Sequence, residues 1–126
     1  MKRLLTTLLL VLIAAVAHAE LPSASEAVVN QALASGKPTV VDLGARTCIS
    51  CKKMAPILEE LAGTYRGRAN VLFVDVREDS DAAKRFGIQM IPTQIYFDAK
   101  GKEIKRVIGA ADRDDLIKGL TAAGLR

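Results

Sequence analysis

Two apolar runs, Thr39 to Leu43 and Val71 to Val76, bracket a stretch in which Met54, Ile57, Leu58, Leu61 and Tyr65 recur at helical spacing. Strand, helix and strand in that order make a βαβ unit, which limits the possible folds more than any other feature of the chain. The second run is nearly continuous in apolar residues, a pattern that needs cover on both faces and predicts a central parallel strand. The first run carries one acid, Asp42, inside an otherwise buried strand. Pro56 falls within the helical stretch and predicts a kink there.

The flanking segments extend the pattern. Residues 20–24 read as a linker, and Ser23 with Glu26 three positions on suggests a capping box for a helix through Val28, Val29, Ala32 and Leu33. Gly36 and Pro38 end it. Ser80 to Phe86 reads as a short helix stopped by Gly87. Ile91-Pro92 precedes a strand from Thr93 to Phe97, which the turn Asp98 to Gly101 joins to Ile104 to Ile108 as an antiparallel hairpin. Asp112 to Ala123 closes the chain as a helix with acids in its first turn, where they complement the dipole. The order is α-β-α-β-α-β-β-α, with no internal repeat.

The first nineteen residues have another character. Met1-Lys2-Arg3 is a charged start, Leu4 to Val16 an apolar stretch, and Ala17-His18-Ala19 a small-x-small cleavage site. The apolar stretch falls short of the roughly 20 residues that span a bilayer comfortably. Residues 1–19 are therefore expected to be a signal peptide cleaved before Glu20, with residues 20–126 as one domain exported to a compartment such as the bacterial periplasm. Without Lys2 and Arg3, 16 basic residues face 14 acidic ones. That balance, with no aromatic interleaving, excludes a nucleic-acid partner.

Two cysteines, Cys48 and Cys51, sit at the junction of the first strand and the helix after it. An exported protein can hold disulfides, but a bridge across two intervening residues closes too small a loop to stabilise a fold. Structural zinc takes four ligands, and with His18 removed only two sulfurs remain. A redox pair fits better, since a cysteine at a helix N-terminus has its thiolate stabilised. Cys48 occupies that place, and Cys51, one turn further in, can attack a mixed disulfide formed at Cys48. Arg46 adds positive charge nearby. Binding of a two-coordinate soft ion such as Cu(I) is the alternative use of the same sulfurs.

The stretches "VVDLGARTCISCKKMAPILEELA", "FGIQMIPTQIYFDAKGKEI" and "VIGAADRDDL" resemble the thioredoxin family across the domain. Asp42 six residues before Cys48, Pro56 five after Cys51, Ile91-Pro92-Thr93, and Gly109 after the last strand all fall in register. The resemblance implies a thioredoxin-like α/β fold with a mixed four-stranded sheet, order 2-1-3-4, flanked by helices. It implies a thiol:disulfide oxidoreductase in which Cys48 attacks, Cys51 resolves and a buried Asp42 moves the proton. Pro92 is then a cis-proline facing the pair, and Ile91, with Ile49 and Ser50, meets an extended substrate.

The same resemblance implies no bound cofactor and a monomer that exchanges electrons with protein thiols and disulfides, supplied by a membrane-embedded thiol donor. Two departures stand out. Members of the family often pair the buried acid with a lysine on the adjacent strand, and "NVLFVDV" has none. They also carry aromatics just before the first cysteine and a few residues earlier, where this chain has Thr47 and Gly44 and no tryptophan at all. Ile49-Ser50 also stands in place of Gly-Pro between the cysteines, which sets the chain apart from cytosolic general reductases, while the lack of a histidine there, with Ile91 before the proline, gives an expected poise that is moderately reducing, that of a reductase or isomerase.

Overall fold

The computed structural model describes residues 20–126, so the expected signal peptide and its cleavage site lie outside the described residues. Four strands and four helices alternate: α1 (Glu26–Leu33), β1 (Thr39–Gly44), α2 (Ile49–Thr64), β2 (Asn70–Asp75), α3 (Ser80–Phe86), β3 (Thr93–Phe97), β4 (Glu103–Ile108) and α4 (Arg113–Ala122). The sheet runs β2-β1-β3-β4. β1 lies parallel to β2, while the β1–β3 and β3–β4 pairs are antiparallel. This is the mixed sheet and order that the resemblance implies.

Side-chain alternation along the strands divides the core into two layers. Val40, Val71 and Tyr96 pack with Met54, Leu58 and Leu61 of α2 and with Leu116 and Leu120 of α4. On the opposite face Val41, Leu43, Val74, Ile95 and Phe97 pack with Val29 of α1 and Ala82 of α3. Each helix start is fixed by a side-chain cap: Ser25 for α1, Cys48 for α2, Asp79 for α3 and Asp112 for α4. Pro56 lies inside α2, which continues through it.

Two expectations fail here. β2 is an edge strand and not a central one, because an apolar run reports cover on its two faces and says nothing about its neighbours in the sheet. Ser23 does not cap α1. It bridges to Phe73 on the free edge of β2, with Ala24 N–H donating to the Phe73 carbonyl at 2.7 Å and Asp75 N–H to Ser23 Oγ at 2.9 Å. The segment expected to be a linker thus shields an edge that would otherwise be open to pairing. The opposite edge, β4, is exposed and carries Glu103, Lys105 and Arg106, charges that discourage such pairing.

α4 lies tight against the sheet at Gly119, where an added Cβ would come within 2.0 Å of the buried Tyr96 ring. Gly119→Ala is therefore expected to lower stability by about 1–3 kcal/mol, as overpacking does, measured by urea unfolding. An unchanged midpoint would show that α4 can move away from the sheet.

Candidate active site

β1 ends at Gly44, and the chain turns through Ala45, Arg46 and Thr47 into α2. Asp75, at the end of β2, ties this turn down. Its Oδ2 accepts from Arg46 N–H at 3.0 Å, and its Oδ1 from the N–H groups of Arg77 and Glu78 at 2.9 and 3.2 Å. Burial pushes Asp75 up, but those three donors outweigh it and hold the carboxyl below the usual range. Arg77 reaches across to the Thr47 hydroxyl. The loop before Cys48 is thus held from the β2 side.

Cys48 is the N-cap of α2, half-buried, and its Sγ accepts from Cys51 N–H at 3.4 Å and lies 3.3 Å from Ser50 Oγ. Both cysteines are free thiols. Hydrogen bonds from the Cys51 and Ser50 side chains lower the Cys48 pKa most, burial opposes them, and the backbone groups of the same two residues lower it further. Cys51 is only 4% exposed. Burial first, and then its bond to Cys48, push it up to about 12. One helical turn therefore separates an activated thiol from a suppressed one.

The floor beneath Cys51 is tight. A Cβ at Gly44 would lie 3.0 Å from Cys51 Sγ and 3.4 Å from the Phe73 ring, so the missing side chain leaves the space that thiol and ring occupy. Asp42, two residues before Gly44, is fully buried in β1. Burial pushes its carboxyl up to about 6, opposed by a hydrogen bond from Gln94 Nε2 at 3.0 Å. The Asp42 charge in turn helps to raise Cys51. Phe73 is Asp42's register partner on β2, the strand on which the family's lysine was sought.

The remaining residues singled out from the sequence divide into two groups. The Ile91–Pro92 peptide is cis, and Pro92 is buried. Thr93 pairs with Leu43 and with Ile108, which sets Pro92 at the cysteine end of the sheet. Ile49 is 77% exposed beside Cys48, and Met90 and Ile108 are exposed as well. Arg46 is engaged by other partners. Its guanidinium bonds Glu20 and the Leu21 carbonyl, each at 3.1 Å, and lies 5.2 Å from the centre of the Phe73 ring.

Sequence reasoning passed over Gln94, which now stands next to Asp42. The available signal was a polar side chain in the middle of the apolar strand Thr93–Phe97, all five residues of which are buried. Asp75 was missed too, since it read as the tail of an apolar run.

A family model, Thioredoxin, matches residues 20–122. The thioredoxin of Staphylococcus saprophyticus is 43% identical over 77 residues, covering 61% of this chain and 73% of that protein. A bifunctional thioredoxin reductase/thioredoxin of Mycobacterium leprae is 38% identical over 89 residues, 71% of this chain but only 19% of that longer protein. Among solved structures, a point-mutant thioredoxin from Halobacterium salinarum superposes with a TM-score of 0.71 at 25% identity, covering 82% of this chain and 88% of that one. The likeness thus runs through both sequence and fold, and the chain belongs to the thioredoxin family of thiol:disulfide oxidoreductases.

Proposed function

We propose that the protein is an exported, monomeric reductase of protein disulfides, acting through Cys48 and Cys51. The observation that carries this reading is the asymmetry of the two thiols, one lowered at a helix start and the other buried and raised one turn inside. The Cys48 thiolate attacks a substrate disulfide, forms a mixed disulfide and expels one substrate thiolate. Cys51 then gives its proton to the Asp42 carboxylate and attacks Cys48 Sγ. The Cys48–Cys51 bond forms, the mixed disulfide breaks, and the second substrate thiolate leaves. Two electrons pass from the pair to the substrate, and a membrane-embedded thiol carrier restores the dithiol.

An exposed aliphatic rim of Ile49, Met90 and Ile108, with the half-buried Ile91 beside Pro92, supports a protein as the substrate. The extended backbone of such a substrate would lie along Ile91 and Pro92. Export is supported by the three-part leader in residues 1–19 and by a family match that starts at residue 20. The relatives lend no support to the Cu(I) carrier.

The cysteine roles are checked by alkylation against pH. Cys48 is expected to react at a lower pH than Cys51, and Cys51→Ser to accumulate mixed disulfides that Cys48→Ser does not. The reverse order of reactivity would overturn the assignment.

For export, intact-mass analysis of protein recovered from the export compartment is expected to show a chain beginning at Glu20. A full-length, membrane-bound product would make the leader an anchor.

A pair is strongly oxidising when its reduced form is unusually stabilised by a very acidic nucleophilic thiol. Here Cys48 is served by neutral donors, and the nearby Arg46 is engaged with Glu20 and Leu21. Titration in glutathione buffers is expected to place the midpoint well to the reducing side of about −120 mV, the strongly oxidising end of the known range. A value near that end would reverse the direction of electron flow while leaving the cysteine roles intact.

A further inference from the structure

Gln94 takes no part in the steps above, yet it is the polar side chain that meets Asp42. β1 and β3 set the two residues opposite each other, and both are fully buried. Gln94 Nε2 donates to Asp42 Oδ1 at 3.0 Å and to the Gly109 carbonyl at 3.1 Å. Met54 Sδ lies 3.6 Å from the same nitrogen, a longer and weaker contact, so the two carboxamide hydrogens go chiefly to the two oxygens. Among the described residues, Asp42 Oδ2 and Gln94 Oε1 are the buried side-chain atoms left without a partner.

Gly109 carries the connection onward. Its N–H donates to the Pro92 carbonyl at 2.8 Å, and its φ of +104° is a conformation that favours glycine. Asp42, Gln94, Gly109 and Pro92 are thereby joined in one chain of hydrogen bonds. It runs from the buried acid to the turn beside the cysteines.

We propose that Gln94 is a positioning residue for the proton that Asp42 takes from Cys51, holding Oδ1 as a fixed acceptor and leaving Oδ2 as the oxygen that carries the proton. The proposal rests on the reading of Asp42 as proton acceptor. A donor aimed at a carboxylate favours its charged form. Without that donor, burial alone would keep Asp42 protonated further into the neutral range, where it could not accept a proton. The amide achieves this without bringing a second charge into the core.

Burial and the Gln94 bond shift Asp42, and few titrating groups feel its charge. From α2 these are Cys51 and, bonded to it, Cys48. From β3 there is Tyr96, pushed up by burial first, then by Asp115 of α4 and by Asp42 itself. β2 presents the uncharged Phe73.

The test follows the Asp42 carboxyl directly by carbon-13 NMR in the reduced full-length domain, alongside the pH profile of the resolving step in single turnover. Gln94→Met keeps the bulk and removes the donor. It is expected to move the Asp42 titration upward by about one pH unit, the size of one hydrogen bond to a charged group. The acid limb of the resolving step should move with it, and in an Asp42→Asn background Gln94→Met should move no limb.

An unmoved titration, or an equal loss of rate at every pH, would reduce Gln94 to a packing role and overturn the proposal. Should Gln94→Met fail to fold, Gln94→Asn retracts the amide and is read by the same titration, with the same upward displacement expected and an unmoved one overturning. An acid limb unchanged by Asp42→Asn alone would instead remove the premise that Asp42 accepts the proton. That failure is distinguishable, because the NMR titration of Gln94→Met does not depend on it.

Discussion

A carboxyl group with no access to water lies in the middle of the sheet, and the rest of the site is arranged around it. Burial raises Asp42 from an ordinary 3.8 to about 6. The folded chain therefore holds this proton more tightly than the unfolded chain does. The stability linked to it is present below about pH 4 and is lost as pH rises through about 6, and the ionised form costs roughly 3 kcal/mol at neutral pH. A fold of this size has only about 5–15 kcal/mol in hand. Such a cost is in keeping with the proton exchange with Cys51 proposed for Asp42.

The two cysteines are differentiated by one turn of backbone. Because Cys48 is the N-cap of α2, its sulfur sits where the first N–H groups of the helix are unpaired, and Cys51 N–H reaches it. The same turn carries Cys51 inward against Gly44 and Phe73, away from water. In the proposed mechanism, spacing and helix geometry thus set one thiol up as nucleophile and hold the other back until a mixed disulfide brings a target to it. The donors that lower Cys48 are neutral, and Arg46 ties the segment from Glu20 to Leu21 to the body of the domain.

Most of the architecture was legible in the sequence because periodicity and turn chemistry act locally. Gly87 stops α3 with a positive φ, and the hairpin from Thr93 to Ile108 turns at Gly101. What could not be read was set by neighbours distant in the chain. Ser23 had the spacing of a cap, but its hydroxyl was claimed by Asp75, 52 residues away. Gln94 is also 52 residues from Asp42, and only the strand register brings them together. A long apolar run could likewise not reveal that β2 would lie at the edge of the sheet.

The two departures from the family pattern prove to be connected through one residue. Gly44 removes a side chain at the end of β1, and the Phe73 ring of β2 packs beside the space this opens next to Cys51. Phe73 is also Asp42's register partner, on the strand where a lysine was expected. An aromatic there fills volume but cannot stabilise a carboxylate, so the polar contact to Asp42 has to come from the other neighbouring strand. β3 supplies it with Gln94, whose second hydrogen ties the acid to Gly109 and so to Pro92. Loss of an aromatic on one strand and of a cation on the next is thereby accompanied by a neutral network on the third, and the environment of the acid is joined to the turn that would receive the substrate.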